Sequence, residues 1–340
     1  MQKKVWFLTA MLLILTLVFA SCNQKKEGKG NTKDIPTATD EQAGEKSEEK
    51  KEKDEETNEL TRETVVYYQD DAGYLVPVMR KIPWVEGIAK ATLNVMTDTP
   101  EQQEDLMMMG LKPLLPADAK VLGMSIKDRV ATLDLNHAAL DCKDAAAENN
   151  RIQGIVLTLS GFSTIDKVQF LFDGKVVDTM EHGTKVKNPI GPSDVNVEMS
   201  DDAKAQGAKV TVFYQSTSPS QYDYLIPVTR ITSSENSTLE TAIKELLKGP
   251  KDHDNMTIDI PPDTKLLGVQ MEKGTTYLNF SKEFKDLANS KDSEAMVMKA
   301  IKMAAMQFPE VKQVKVLVEG KNYAGSAPLD STPVFANEYE

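Results

Sequence analysis

Tyr74-Leu75-Val76-Pro77-Val78-Met79-Arg80 returns as Tyr224-Leu225-Ile226-Pro227-Val228-Thr229-Arg230, and each copy follows a β-rich run, Val65-Val66-Tyr67-Tyr68-Gln69 or Val212-Phe213-Tyr214-Gln215. Two further blocks repeat in the same order. Leu115 to Gly123 matches Ile260 to Gly268 at an offset of 145 (260 minus 115), and Val168 to Lys175 matches Val314 to Lys321 at 146 (314 minus 168). A period of this length is too long for a solenoid unit and suits a complete small domain. The 340 residues therefore read as two copies of one domain, each needing its own core and each expected to fold alone.

The elements follow from periodicity. In the second copy Ser237 and Glu240 have capping-box spacing, and Leu239, Ala242, Ile243, Leu246 and Leu247 form one stripe before Lys248-Gly249-Pro250 stops the helix. The counterpart runs from about Val85 to Met96 and ends at Asp98-Thr99-Pro100. Two short alternating strands follow, Lys265 to Glu272 and Thr275 to Phe280, joined at Lys273-Gly274; Asp128-Arg129 occupies that turn in the first copy. A second helix carries Ile152, Ile155, Val156, Leu159 and Phe162, or Val297, Ile301, Ala304 and Phe308, before a closing strand. Each copy reads ββαββαβ, an α+β domain with its sheet as one layer and two helices as the other.

The N-terminus reads as an address. Lys3 and Lys4 precede Val5 to Phe19, an apolar run of 15 residues that is short for a membrane span. It ends in Phe19-Ala20-Ser21-Cys22, similar to the lipobox of bacterial lipoproteins, with Phe19 where Leu, Val or Ile is usual. On that reading residues 1–21 are a signal peptide and Cys22 carries acyl chains; an ordinary cleaved signal or an uncleaved anchor are the alternatives. Residues 22–63 are rich in Lys, Glu, Asp and Thr, with Ile35 and Leu60 the only large aliphatics, and read as a charged tether.

Composition excludes several functions. A net charge of -12 with no basic stretch argues against nucleic acid, and two cysteines and three histidines stand in no zinc-clamping pattern. His137, Asp141 and Cys142 superficially assemble a catalytic set, but Lys282 stands at the place of His137 in the second copy, and sequence neighbours rarely make a triad. Asp118 and Asp263 each follow a proline at the mouth of a strand and read as turn residues. With Cys22 acylated, Cys142 is a lone thiol, either buried or an intermolecular link. Met107-Met108-Met109 lies in a segment six residues longer than in the second copy, and reads as a contact surface or as core filling in a surface loop.

Proline inside a strand marks an edge or a bulge. Tyr74, Pro77 and Arg80, and Tyr224, Pro227 and Arg230, are thus candidates for an exposed edge that adds a partner's strand; the alternative is a sheet end with Arg80 and Arg230 in solvent.

The Tyr-Leu-x-Pro-Val-x-Arg strands, the helix from Ala242 to Pro250, the block from Ile260 to Gly268 and Leu278-Asn279-Phe280-Ser281 together resemble the GerMN-domain family of sporulation and germination lipoproteins. The resemblance spans about Thr64 to Pro333, with domains at 64–190 and 208–333. It implies a fold similar to ring-building motifs, no catalysis and no cofactor, and envelope or sporulation-complex proteins as partners. The implied place is the outer face of the cell membrane, in a sporulating cell the space between mother-cell and forespore membranes. The alternative function is a lipoprotein that binds a wall polymer or small ligand between its two domains.

Overall fold

The computed structural model describes residues 60–201, 203, 206–251, 255–323 and 335–339. The signal peptide, Cys22 and the tether as far as residue 59 lie outside them. The tether expected to reach residue 63 stops earlier, because β1 (Thr61–Gln69) already pairs Thr61, Arg62 and Glu63 with β2 (Leu75–Pro83).

The first repeat continues with α1 (Ile88–Asn94), α2 (Pro100–Met107), the hairpin β3 (Val121–Lys127) and β4 (Val130–Leu135), α3 (Ala145–Ser160) and β5 (Lys167–Phe172). A two-residue strand β6 (Glu198–Met199) precedes the second repeat: β7 (Lys209–Thr217), β8 (Asp223–Ile231), α4 (Leu239–Leu247), β9 (Leu266–Glu272), β10 (Thr275–Phe280), α5 (Lys291–Met306), β11 (Gln313–Val318) and β12 (Lys321–Asn322). The α+β class and the duplication are as the sequence implies. The strands of each repeat, however, divide between two sheets, β1-β2 and β3-β4-β5 in one copy, β6-β8-β7 and β12-β11-β10-β9 in the other.

The long helix of each repeat touches both sheets. Thr158 of α3 accepts the Tyr67 N–H of β1 at 3.0 Å while its apolar stripe packs toward β5, and Gln307 beyond α5 donates to the Thr211 carbonyl of β7 at 3.0 Å. Ile152, Ile155, Val156, Leu159 and Phe162 are all buried, as are Val297, Ile301 and Ala304. The crossover through this helix makes β4-β5 and β10-β11 parallel, which a tight turn could not do. Asp128-Arg129 and Lys273-Gly274 have positive φ at both central positions, the turn that matches strand twist in a two-residue hairpin. Arg129 tolerates that backbone while its guanidinium is fixed on Asp166 and the Ser163 carbonyl.

Local details depart from expectation where neighbouring residues offer the same chemistry. The cap of α4 is Thr238, whose hydroxyl accepts the Thr241 N–H at 3.1 Å, rather than Ser237 beside it. The first-copy helix is shorter than 85–96: Gly87 at φ 77 opens α1 without a side-chain cap, so Val85 stays outside. The longer segment before Leu115 is no bare loop. Thr99 caps α2 and Pro100 occupies its first turn, which is the ordinary start signal of a helix. At its end the methionine cluster divides, with Met107 and Met108 64% and 55% exposed and Met109 only 2% exposed in the core.

Each long helix also carries a buried glutamate that sequence reasoning missed. Glu148 in α3 accepts the N–H groups of His182 and Thr184 at 2.8 and 2.7 Å, and Glu294 in α5 accepts the Tyr323 hydroxyl at 2.6 Å. The two stand 146 apart (294 minus 148), at the repeat offset. Both tie down the chain that follows the closing strands, β5 in the first repeat and β11 with β12 in the second.

Candidate functional site: the seam between the repeats

The signature strands β2 and β8 face one another, and nearly every residue of both is buried. Within β2 the backbone groups of Leu75, Pro77 and Met79 point away from the hairpin partner, and in β8 those of Leu225, Pro227 and Thr229 do. Proline's missing N–H therefore lies on the outer edge, where it removes no ladder bond. The edge is real but it is not free.

Two asparagines fill it. Asn196 accepts the Leu75 N–H at 3.0 Å and donates to the Leu75 and Pro227 carbonyls, both at 2.8 Å. Asn337 accepts the Leu225 N–H at 2.7 Å and donates to the Leu225 and Pro77 carbonyls, both at 2.8 Å. Each side-chain amide thus spans both repeats, and the two patterns interchange when the repeats do. The asparagines ride on straps that follow the repeats in sequence. Val195 accepts the Thr229 N–H at 3.0 Å and β6 pairs with Arg230 and Ile231, whereas Asn337 accepts the Met79 N–H at 2.8 Å and Tyr339 donates to the Met79 carbonyl at 3.2 Å. The segment after the first repeat lies on the second, and the segment after the second lies on the first. Domain bounds of 64–190 and 208–333 stop short of both.

Neither arginine is in solvent. Arg230, 2% exposed, pairs with Glu198 of β6 through Nε at 2.7 Å and donates to the Glu245 and Gly249 carbonyls at 3.0 and 2.9 Å, where α4 leaves its last acceptors open. Glu245 is balanced further by Lys248 at 2.7 Å, and the Arg230 guanidinium lies 5.4 Å from the ring centre of Tyr214. Arg80, 7% exposed, takes Asp105 of α2 at 2.6 Å and lies 4.3 Å from the ring centre of Tyr339, whose hydroxyl donates to the same Asp105 at 2.8 Å. Burial raises the Tyr68 and Tyr214 hydroxyls far above the ordinary tyrosine range, so both stay protonated beside the arginines. These contacts correct the partner-edge expectation: Pro77, Arg80, Tyr224, Pro227 and Arg230 are buried and Tyr74 half-buried beside them, in a seam that the protein closes with its own chain.

Tyr224 adds a link across the seam, its hydroxyl 3.3 Å from Asp70. Burial raises the Asp70 carboxyl, opposed by the N–H of Tyr74 at 2.7 Å and by Tyr224, while burial pushes the Tyr224 hydroxyl up to about 12. Two open hollows flank this junction, of about 520 and 450 Å³. The larger is lined by Met108, Tyr222, Lys299 and Glu338 among others; in the smaller, Asp70, Thr217 and Ser218 already bond to Tyr224, Asp223 and the Met108 carbonyl.

The residues weighed for catalysis are dispersed. His137 is exposed on a 3-10 turn, Asp118 is exposed in a turn, and Asp263 sits in a turn at φ 63. Cys142 is a buried free thiol, and burial raises its pKa. Among the described residues no group of three or more His, Cys, Asp or Glu side chains is placed to hold a metal ion.

The Germane family model, described as sporulation and spore germination, matches residues 65–178 and 211–324, the two repeats themselves. The chain belongs to the Germane family. It is 30% identical over 265 residues to the spore germination protein GerM of Bacillus subtilis strain 168, covering 76% of this chain and 71% of that one. The solved tandem GerMN domains of the sporulation protein GerM from Bacillus subtilis superpose with a TM-score of 0.69 at 26% identity, across 83% of this chain and all of that one. It is a GerM-like sporulation and germination protein with tandem GerMN domains, a family of no known enzyme class.

Proposed function

We propose that the chain is a lipid-anchored, non-catalytic assembly protein on the extracytoplasmic face of the cell membrane, held through Cys22. In a sporulating cell it occupies the space between mother-cell and forespore membranes. Its partners are envelope or sporulation-complex proteins, met through surfaces and not through a reactive site; it binds neither nucleic acid nor a cofactor. One observation carries the protein-contact reading. With the signature strands closed into the seam, β3 and β9 are, among the described residues, the edge strands longer than two residues whose outer edges carry not even an isolated bridge. Each has the same burial pattern, each bulges at its start, and each exposes apolar side chains: Leu122 and Ile126, or Leu267 and Met271. Such edges accept a further strand by backbone hydrogen bonds with side-chain selectivity.

The experiment is crosslinking and capture of the anchored protein from sporulating cells, with wild type beside Ile126→Lys and Met271→Lys. Charged edges are expected to lose the captured proteins without any change in melting midpoint. Capture of the same proteins at wild-type yield by the doubly substituted protein contradicts the edge reading. Cys22→Ala, followed by fractionation, tests the anchor by itself: the protein is expected to leave the membrane fraction.

A further inference from the structure

The end of the first hairpin nearest the tether carries an apolar tip. Leu60, Trp84 and Val85 are 79%, 63% and 48% exposed, and the Trp84 N–H donates to the Leu60 carbonyl at 2.7 Å, which holds the two segments side by side. Pro83 and Gly87, both exposed, bracket the tip, and Gly87 at φ 77 turns the chain into α1 beyond it. The second repeat is an internal control. At the strand offset of 150 (230 minus 80), Trp84 and Val85 become Ser234 and Glu235, and at the β1-to-β7 offset of 146 (215 minus 69), Leu60 becomes Gln206. The fold therefore does not require apolar residues here. Only the copy joined to the tether has them.

We infer that Leu60, Trp84 and Val85 form a wedge that seats the first repeat on the phospholipid surface. Chain connectivity selects this occupant: Leu60 is the residue at which the tether from the membrane-targeted N-terminus enters the folded repeats. Tryptophan favours the boundary between headgroups and acyl chains, where its ring is buried and its N–H stays wet. The neighbouring charges neither require nor forbid an anionic surface, since Arg62, Lys81 and Lys90 against Glu63 and Glu86 leave a net of only +1 (3 minus 2). A wedge of three side chains binds reversibly and adds orientation to an anchor that already retains the protein. The inference rests on the lipid-anchor reading only for bringing the repeat to a bilayer.

A direct test uses residues 23–340, which lack Cys22 and its acyl chains and keep every described core residue. Removing residues 1–22 also removes Trp6, so Trp84 becomes the only tryptophan and a reporter at the site itself. Emission is recorded with vesicles of phosphatidylcholine and of phosphatidylcholine with phosphatidylglycerol. The expected result is a shift to shorter wavelength and protection from a soluble quencher with both compositions. Leu60→Ser with Val85→Ser is expected to abolish the shift, and Trp84→Ser to reduce co-sedimentation with vesicles about tenfold, with melting midpoints unchanged. Emission that ignores both vesicle types overturns the inference, whatever fractionation of Cys22→Ala shows about the anchor. A shift that grows with protein concentration without vesicles also overturns it, and assigns the tip to a second copy of the chain.

Discussion

Arg230 and Arg80 hold the same place in two copies of one strand, yet they are satisfied by different parts of the molecule. Arg230 closes the C-terminal end of α4 through the Glu245 and Gly249 carbonyls and takes Glu198 from the strap. In the first repeat the matching helix is only Ile88–Asn94, and Asp98 stands where the aligned sequence of the second has Gly249. The extra helix α2 supplies Asp105 instead, and the tail supplies the Tyr339 ring. The replacement is incomplete: the Tyr68 hydroxyl, one Arg80 nitrogen and the Gln102 carbonyl are buried without a protein partner, whereas the Tyr214 hydroxyl donates to Gly249 at 2.8 Å. The arginine that recurs in the two repeats is thus a staple between a strand and a strap, complete in the second repeat and built partly from the extra helix in the first.

The difference can be broken by substitution. Arg230→Met takes the guanidinium away from buried Glu198 and from the Glu245 and Gly249 carbonyls and leaves the Glu245 carboxylate to Lys248 and the Ser200 hydroxyl, so equilibrium unfolding is expected to register a loss of about 3–5 kcal/mol. Arg80→Met leaves Asp105 partly exposed and still bonded to Tyr339, and its cost is expected near 1–2 kcal/mol. Equal losses at the two sites would mean that the two arginines are equally well satisfied.

Asn337→Ala leaves one N–H and two carbonyls of buried strands unpartnered and is expected to cost about 2–3 kcal/mol by denaturant titration. Asn196→Ala removes the mirrored set from a half-buried position that water can reach, and a smaller loss is expected.

Glu148 sharpens the comparison through pH. Burial pushes its carboxyl up, but the hydrogen bonds from His182 and Thr184 outweigh burial and hold it below the ordinary glutamate range. A lowered carboxyl contributes stability above its unfolded pKa and loses it as pH falls through the folded one. Glu148→Gln is therefore expected to cost about 1–2 kcal/mol at neutral pH, with the gap to wild type closing in acid. The smallest effect falls on Asp70. Its carboxyl is raised, so its contribution is full below the unfolded pKa and lost as pH rises through the folded one. Asp70→Asn is expected to change stability at neutral pH by less than about 1 kcal/mol and to flatten that acid-side dependence, both read from melting curves.

Much of this architecture was legible in the sequence because it is periodic or repeated. The matched blocks exposed the duplication, and the stripes on α3 and α5 named residues that are buried, except for Phe308, which is half-buried beyond the end of α5. Pro77 and Pro227 lie on the side of their strands that faces away from the hairpin partner, since a residue without an N–H belongs where no ladder bond is lost. What covers that edge was not legible. Asn196 and Asn337 lie outside the repeated blocks, 121 and 260 residues from the strand groups they reach in the first repeat, and an isolated asparagine has no period. The available signal was weak but real: both repeats are followed by an asparagine and then a glutamate, Asn196-Val197-Glu198 and Asn337-Glu338. Helix α2 was hidden differently, because Thr99-Pro100 serves equally as a stop for the helix before it and a start for the helix after it.

Amide hydrogen exchange at Leu75, Met79, Leu225 and Thr229 tests most directly whether the signature strands form an internal seam. These four N–H groups point off the hairpins, to Asn196, to the Asn337 carbonyl, to Asn337 and to the Val195 carbonyl. A closed seam predicts that all four exchange as slowly as the cross-hairpin amides of β2 and β8, with Leu225 released by Asn337→Ala. Rapid exchange at the four, beside slow exchange at the inner amides, would show a free edge and contradict the account.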